Sequence, residues 1–543
     1  MFDKTLRSAL IALSALLSPG MAAPAAATDV EIDASAGHRA INPLIYGVSY
    51  ATQAQLIDLN VPLNRSGGNS ATRYNWRLDA RNAGKDWFFE SLACGTDIFD
   101  QHGDGFVALS KAAGADSMLT VPMIGWVAKL DEGRKPLAGF SIGKYGLQQK
   151  SDLEGFVDAG NGLRLDGTPI TGNDPNDASM PDGPEDERKW VEHLLAKWGG
   201  AGKGGVSYYA MDNEPSFWHD IHRDVHPVGA HAREVADKVE AYARMVKAID
   251  PGARVVAPEE WGWTAYRYSG FDQQYAVEHG FDKAPDRTTQ TNGMDYLPWL
   301  LTRWKAAGHP VDVVSVHFYP QGGVYSENGG DLSPAGQLLR NRSTRDLWDP
   351  DYLDPTWIRD RISLIPRLRQ WVDRYYHPGT PIAITEYNWG AETTMNGATA
   401  QADVLGIFGR EGLDMAARWA TPPTGSPTYL AMKLYRNYDG RKSAFGETGI
   451  SARVADPDHL SAFAALRAAD GAMTVMVIDK DLSGSAQVAL KIRNFAGRGG
   501  VEAYQLAEGR LEALPPANFA DGAFTTTVPG PSVTLFVFKG ARP

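Results

Sequence analysis

The chain has 543 residues, 43% of them hydrophobic and 22% charged, with a formal net charge of -12. That length exceeds one ordinary core and fits a large barrel-type domain with a smaller companion, and the acidic balance argues against nucleic acid and anionic membrane surfaces, which call for basic patches. The single cysteine, Cys94, excludes an intramolecular disulfide.

The chain opens with Lys4 and Arg7, an apolar run over 9–17 and the small residues Ala25, Ala26 and Ala27. This is the pattern of a signal peptide over 1–27 with cleavage near Ala27, and the run is too short to span a bilayer. A secreted or periplasmic protein without membrane association is expected. The alternating segment 29–33 predicts a strand; it belongs to a stretch, 28–43, that precedes the barrel and is free to join a sheet formed later.

From 44 to 440, short apolar runs alternate with amphipathic ones. Strands are predicted at 44–48, 61–65, 118–124, 206–211, 254–258, 311–317, 382–386 and 429–435. Helices are predicted over 185–198, 230–249 and 356–376, the last entered through Asp354 and Pro355. Eight alternating units predict an α/β fold, a (β/α)8 TIM barrel. Over 441–543 the texture becomes all-β: apolar runs at 460–466 and 473–478 flank an Asp470-Gly471 turn, and further strands are predicted at 486–492, 501–506 and 532–538. A C-terminal β-sandwich follows from that pattern.

Barrels of this kind place their chemistry where the strands end. The second run leads into Arg65 and Asn69, the fourth into Asp212-Asn213-Glu214-Pro215, the fifth into Glu259-Glu260, the sixth into His317-Phe318-Tyr319 and the seventh into Glu386. Glu214 and Glu386, on strands four and seven, can face one another across the mouth. Two carboxyl groups flanking one bond suit glycoside hydrolysis, one protonating the leaving oxygen and the other ionised. Asn213 is placed for a sugar hydroxyl, while Arg65, His317 and Tyr319 are within reach of Glu386. Asp212 and Glu259 read as scaffold. His219, His222 and His226 lack metal-ligand spacing. Among the many aromatics, Tyr74, Trp76, Trp126 and Trp389 follow strand-like runs and are candidates for stacking on sugar rings.

The strings Arg65-Ser66-Gly67-Gly68-Asn69 with Tyr74-Asn75-Trp76, Tyr209-Ala210-Met211-Asp212-Asn213-Glu214-Pro215 with Trp218, and Ile384-Thr385-Glu386-Tyr387-Asn388 resemble glycoside hydrolase family 44. The resemblance covers most of the chain. It implies a TIM-like barrel with a sandwich built from both chain ends. It also implies retaining, endo-acting hydrolysis of β-1,4-glucans, either cellulose-type chains or xyloglucan, with Glu214 as acid/base and Glu386 as nucleophile. No cofactor is required. Some members bind a structural calcium, for which Asp174, Asn176 and Asp177 offer oxygens, although the Glu-Asn-Asn run of relatives is replaced here by Arg77-Leu78-Asp79. A monomer acting on a β-glucan polysaccharide is expected. An endo-hydrolase of xylan or mannan, or a carbohydrate-binding barrel without chemistry, is the alternative.

Overall fold

The structure, a computed structural model, describes residues 27–326, 328–497, 499–520 and 522–540. The leader predicted over 1–27 lies outside them except for its last residue. Among the described residues, eight parallel strands close into a barrel: Gly47–Ser49, Leu63–Ser66, Asp116–Val121, Tyr208–Met211, Arg254–Glu260, Val313–Phe318, Ile382–Tyr387 and Met415–Arg418. In chain order these are strands one to eight.

A layer of inward side chains plugs the N-terminal end of the barrel: Leu63, Met118, Ala210, Val256, Val313, Ala383 and Met415, one from each of strands two to eight. Because strand side chains alternate, residues two and four positions further along point inward again near the C-terminal rim. Those positions carry Arg65, Thr120, Asp212, Ser315, His317 and Thr385. The barrel is therefore oily at one end and polar at the other.

Two register shifts modify this alternation. One lies between Pro258 and Glu260 on strand five, the other where Val316 pairs with Ile384 but His317 with Glu386. Each extra residue re-aims the side chains beside it, so that Glu259 faces inward to meet Thr385 and Glu386 arrives level with His317.

The predicted strand over 429–435 is a helix instead. Ser426 accepts from the Tyr429 amide and Pro427 occupies the first turn of Pro427–Arg436. This Ser-Pro entry nucleates a helix, and the buried residues Thr428, Tyr429, Ala431, Met432, Leu434 and Tyr435 fit a helical stripe. The eighth strand is the four-residue Met415–Arg418. The helix predicted over 356–376 runs only over Leu364–Tyr375; Asp354 closes a local turn by accepting from the Thr356 amide at 2.7 Å. The helices Pro184–Trp198 and Ala232–Ile249 lie where predicted, within two residues.

A β-sandwich carries the C-terminal strands. Strand Thr28–Asp33 pairs parallel to Ser485–Arg493 and antiparallel to Thr448–Arg453. Leu460–Leu466 and Met473–Asp479 form the hairpin around Asp470-Gly471. Met473, Val475, Val477, Phe536 and Phe538 face the sandwich core, while Met476, Ile478, Val533, Leu535 and Val537 join the core shared with the barrel. Burial on both faces explains why these two strands read as unbroken apolar runs.

The helix Met395–Glu411 lies between the two bodies and is buried at every residue from Asn396 to Gly409. Gly406 is needed there, since a Cβ would sit 2.2 Å from the Phe463 ring. Asp403 of this helix pairs with Lys480 at 2.6 Å, both side chains 2% exposed, and also accepts from the Thr344 hydroxyl. Removing one partner of a buried pair strands the other charge. Lys480→Met is expected to lower the unfolding free energy by about 3–5 kcal/mol, and adding Asp403→Leu to restore most of it, as read by denaturant unfolding. A single variant as stable as the parent would leave the pair without a structural role.

Candidate active site

The rim is assembled from strand ends in left-handed conformations. Asp212, Glu214 and Glu259 have φ of 64°, 47° and 58°. Such backbone costs about 1–3 kcal/mol per residue and persists where surrounding bonds over-determine it. Those bonds are visible. The Asp212 carboxylate accepts from the Thr72 hydroxyl at 2.7 Å and from the amides of Asn213 and Met123, tying strand four to the loops after strands two and three. The Glu214 amide donates to the Glu259 carbonyl at 3.0 Å.

At the centre lies Arg65, with no exposed surface. It donates to Glu386 Oε1 at 2.7 Å, to Glu259 Oε2 at 2.9 Å and to Asn213 Oδ1 at 3.0 Å. His317, also fully buried, places Nδ1 2.8 Å from Glu214 Oε1 and Nε2 3.3 Å from Glu259 Oε2. Tyr319 donates to Glu386 Oε2 at 2.8 Å. Thr385 donates to Glu259 Oε1 at 2.7 Å. The Glu214 and Glu386 side chains retain 13% and 6% exposure, the face they offer to solvent.

This arrangement divides the acids. Burial pushes the Glu214 carboxyl up, opposed by the hydrogen bond and charge of His317. Burial also tends to raise Glu259, but Arg65 and His317 overcome it and hold it down at about 2. Burial resists a charge on His317, yet Glu386, Glu214 and Glu259 around it push it up to about 10. Glu260, adjacent but directed toward the Ser216 amide at 3.4 Å, is pushed up to about 8 by burial. One carboxyl is thus biased to carry a proton while Glu259, bonded to the same histidine, is set as an anion.

The residues proposed to meet sugar divide in the same way. Arg65 and His317 are wholly internal and hold carboxylates. Asn213 is 2% exposed; its oxygen takes Arg65 and the Gly68 amide, and its amide reaches half-buried Asn69 at 3.3 Å. Trp389 is 1% exposed, with its indole N–H on Ser343, and Tyr74 is 4% exposed, with its hydroxyl on Asp79. Neither offers a ring face to a ligand, because each turns into the core behind its strand end. Trp76 stacks on His193 of an outer helix, and half-buried Trp126 lies in a ribbon against Pro181.

Other aromatics line the opening. Trp419, directly after strand eight, packs over Gly68, where a Cβ would sit 2.3 Å from its ring. With Phe99, Tyr325, Asn388, Glu392 and Thr421 it borders a cavity of about 590 Å³ beside the Glu386 strand end. On the Glu214 side Phe217 stacks on Trp261 with centroids 4.5 Å apart. Trp419 follows a four-residue strand that the longer apolar run over 429–435 masks in the sequence, whereas Trp261 follows Glu259-Glu260 in plain view.

Among the described residues, Glu214, His317 and Glu386 place one ligand-type atom each within 4.8 Å of one another. Both Glu386 oxygens already accept from Arg65 and Tyr319, and the buried guanidinium charge opposes a further cation, so the trio suits proton exchange. The calcium allowed by the resemblance does not fit Asp174 and Asp177: Asp174 is satisfied by Asn176, and Asp177 takes the Lys144 ammonium and the Tyr145 hydroxyl. Arg77 likewise occupies Asp182 and Asp186.

Comparison with known proteins gives a consistent set of likenesses. A family model described as glycoside hydrolase family 44 matches residues 80–322. Endoglucanase A of Paenibacillus lautus is 32% identical over 501 residues, 84% of this chain and 65% of that protein. The chain therefore spans somewhat less than two thirds of that relative's length. The crystal structure of CelM2, a bifunctional glucanase-xylanase from a metagenome library, superposes with a TM-score of 0.91 at 51% identity over 95% of this chain and 99% of that one. A family 44 xyloglucanase of Paenibacillus polymyxa superposes with a TM-score of 0.75 at 28% identity over 94% and 99% of the two chains.

Glu260 supplies a test of the site's electrostatics. Its value in the fold lies above the ordinary 4.5, so the folded form keeps a proton that the unfolded chain releases, and stability falls as pH rises from there toward about 8. Glu260→Gln is expected to remove this slope and to be more stable than the parent at pH 8 by roughly 2 kcal/mol. Unfolding midpoints measured across that range decide it; parallel curves for the two proteins would refute the assignment.

Proposed function

The chain belongs to glycoside hydrolase family 44, and from that premise we propose that it is a retaining endo-hydrolase of β-1,4-linked glucans, of the cellulose or xyloglucan type. The observation that carries this reading is the closeness of Glu214 and Glu386, whose oxygens lie within 4.8 Å. Retaining glycosidases hold their carboxyl groups about 5–5.5 Å apart, inverting ones about 6.5–9.5 Å to admit a water between them.

In the first step Glu214 gives its proton to the glycosidic oxygen while Glu386 attacks the anomeric carbon, forming a glycosyl ester as the C–O bond breaks. Arg65 and Tyr319 aim the Glu386 carboxylate, one donor on each oxygen. His317 then faces a newly ionised Glu214 at hydrogen-bonding distance and stabilises it. In the second step Glu214 takes a proton from water, whose oxygen attacks the same carbon and frees Glu386. Trp419 and the Phe217–Trp261 pair supply flat apolar faces for glucosyl rings on the two sides of the scissile bond. A monomer acting on polysaccharide is part of this reading, and the leader pattern supports a secreted or periplasmic location; among the described residues no helix is long and apolar enough to cross a membrane.

A second reading keeps the machinery and changes the chain it cuts. The relative at 51% identity is described as cleaving xylan as well as glucan. Assay of the purified protein on carboxymethylcellulose, xyloglucan, mannan and xylan separates these, with the glucans expected fastest. Proton NMR of early products is expected to show the β-anomer; an α-anomer first would rule out retention. Glu386→Gln is expected to bind polymer in affinity electrophoresis while losing turnover by about 1000-fold or more, and a near-normal rate would sink the assignment.

A further inference from the structure

Glu259 has no exposed surface and no evident reason to face the barrel axis, yet it is turned there by a bulge and a left-handed backbone. Neutralising Arg65 does not account for it, since Glu386 already pairs with that guanidinium at 2.7 Å. Its bonds reach both reacting groups by separate routes. Oε2 takes Arg65, which holds Glu386, and lies 3.3 Å from His317 Nε2, whose other nitrogen holds Glu214; Arg65 Nη2 is also 3.3 Å from that Nε2, so a proton there depends on the Glu259 charge beside it. Oε1 takes the hydroxyl of Thr385, the residue before Glu386. The carbonyl oxygen takes the Glu214 amide.

We propose that Glu259 is a positioning residue that fixes the two carboxyl groups relative to one another and keeps His317 protonated on both nitrogens. The proposal rests, for its kinetic consequences, on the hydrolase reading. The charged and titratable groups around it and His317 come from the neighbouring strand ends: Arg65 from strand two, Glu214 after strand four, Glu260 on strand five, Tyr266 in the helix after it, Tyr319 after strand six and Glu386 on strand seven. Arg65 and His317 bring two positive charges, Glu259 and Glu386 two negative ones. The set is neutral when Glu214 carries its proton and holds one negative charge when it does not. Within that set Glu259 leaves the excess charge to follow the proton on Glu214, the group that must give it up and regain it. Without Glu259, Arg65 and Glu386 balance one another and His317 is left with a buried charge that no fixed anion offsets at Nε2.

Glu259→Gln keeps the volume and removes the charge. His317 is then expected to lose its proton at lower pH, read as its ¹⁵N shifts in the resting protein. Glu214 loses the imidazolium it touches, and this outweighs loss of the more distant Glu259 charge. The alkaline limb of kcat/KM should therefore move up by about one pH unit, with kcat down about 10- to 100-fold and KM within about twofold. Glu259→Asp, which keeps the charge, should return the limb toward its original place. Thr385→Val, which removes only the hydroxyl on Oε1, should lower kcat in the same direction by a smaller factor and serves if the glutamine variant does not fold. A uniform loss of rate with the limb and the His317 shifts unmoved would overturn the proposal and leave Glu259 a scaffold residue. The NMR arm needs no substrate: if the parent cleaves no β-glucan but the shifts move as stated, the hydrolase reading falls and the anchoring stands.

Discussion

A guanidinium with no access to water is the constraint around which this barrel is organised. Arg65 enters from strand two above a layer of apolar plugs, where a bare cation would cost several kcal/mol. The fold meets that demand with two carboxylates and an amide oxygen from strands five, seven and four. Those strand ends reach the axis where the regular alternation breaks, at Glu259 and again before Glu386. The strained backbone at the rim brings the buried charge and both partly exposed carboxyl groups into one network.

The same demand divides the acids chemically. Arg65 and His317 hold Glu259 low, and burial lifts Glu214. Two glutamates in similar sequence settings thereby take unlike states because different neighbours touch them. Nothing mobile is needed for this; the difference is built in before any substrate arrives, as an electrostatically preorganised site requires.

Much of this was legible in the sequence, for identifiable reasons. Seven barrel strands announced themselves as short apolar runs, five of them ending in polar residues, and Glu214 and Glu386 stood at two such ends. The eighth did not: Met415–Arg418 is four residues long and carries a buried arginine, whereas Tyr429–Tyr435 offered a longer apolar run that a Ser-Pro entry turns into helix. Trp419 was lost with that strand. Trp389 and Tyr74 were misplaced because position after a strand does not say whether an aromatic ring turns to the opening or back to the core. Glu259 read as scaffold because a bulge, which reverses the direction of a side chain, leaves little trace in composition.

The helix Met395–Glu411 has a consequence of another kind. It begins eight residues after the strand that delivers Glu386, and both its sides are covered, one by the barrel and the other by the sheet completed at the far end of the chain. Such a molecule has no seam. The sandwich cannot be treated as an appendage to be trimmed or exchanged, as a tethered binding module can, because cutting it away would unroof a greasy cylinder next door to Glu386. The strand Ser532–Phe538, more than a hundred residues further along the chain, helps to close the wall behind Glu386.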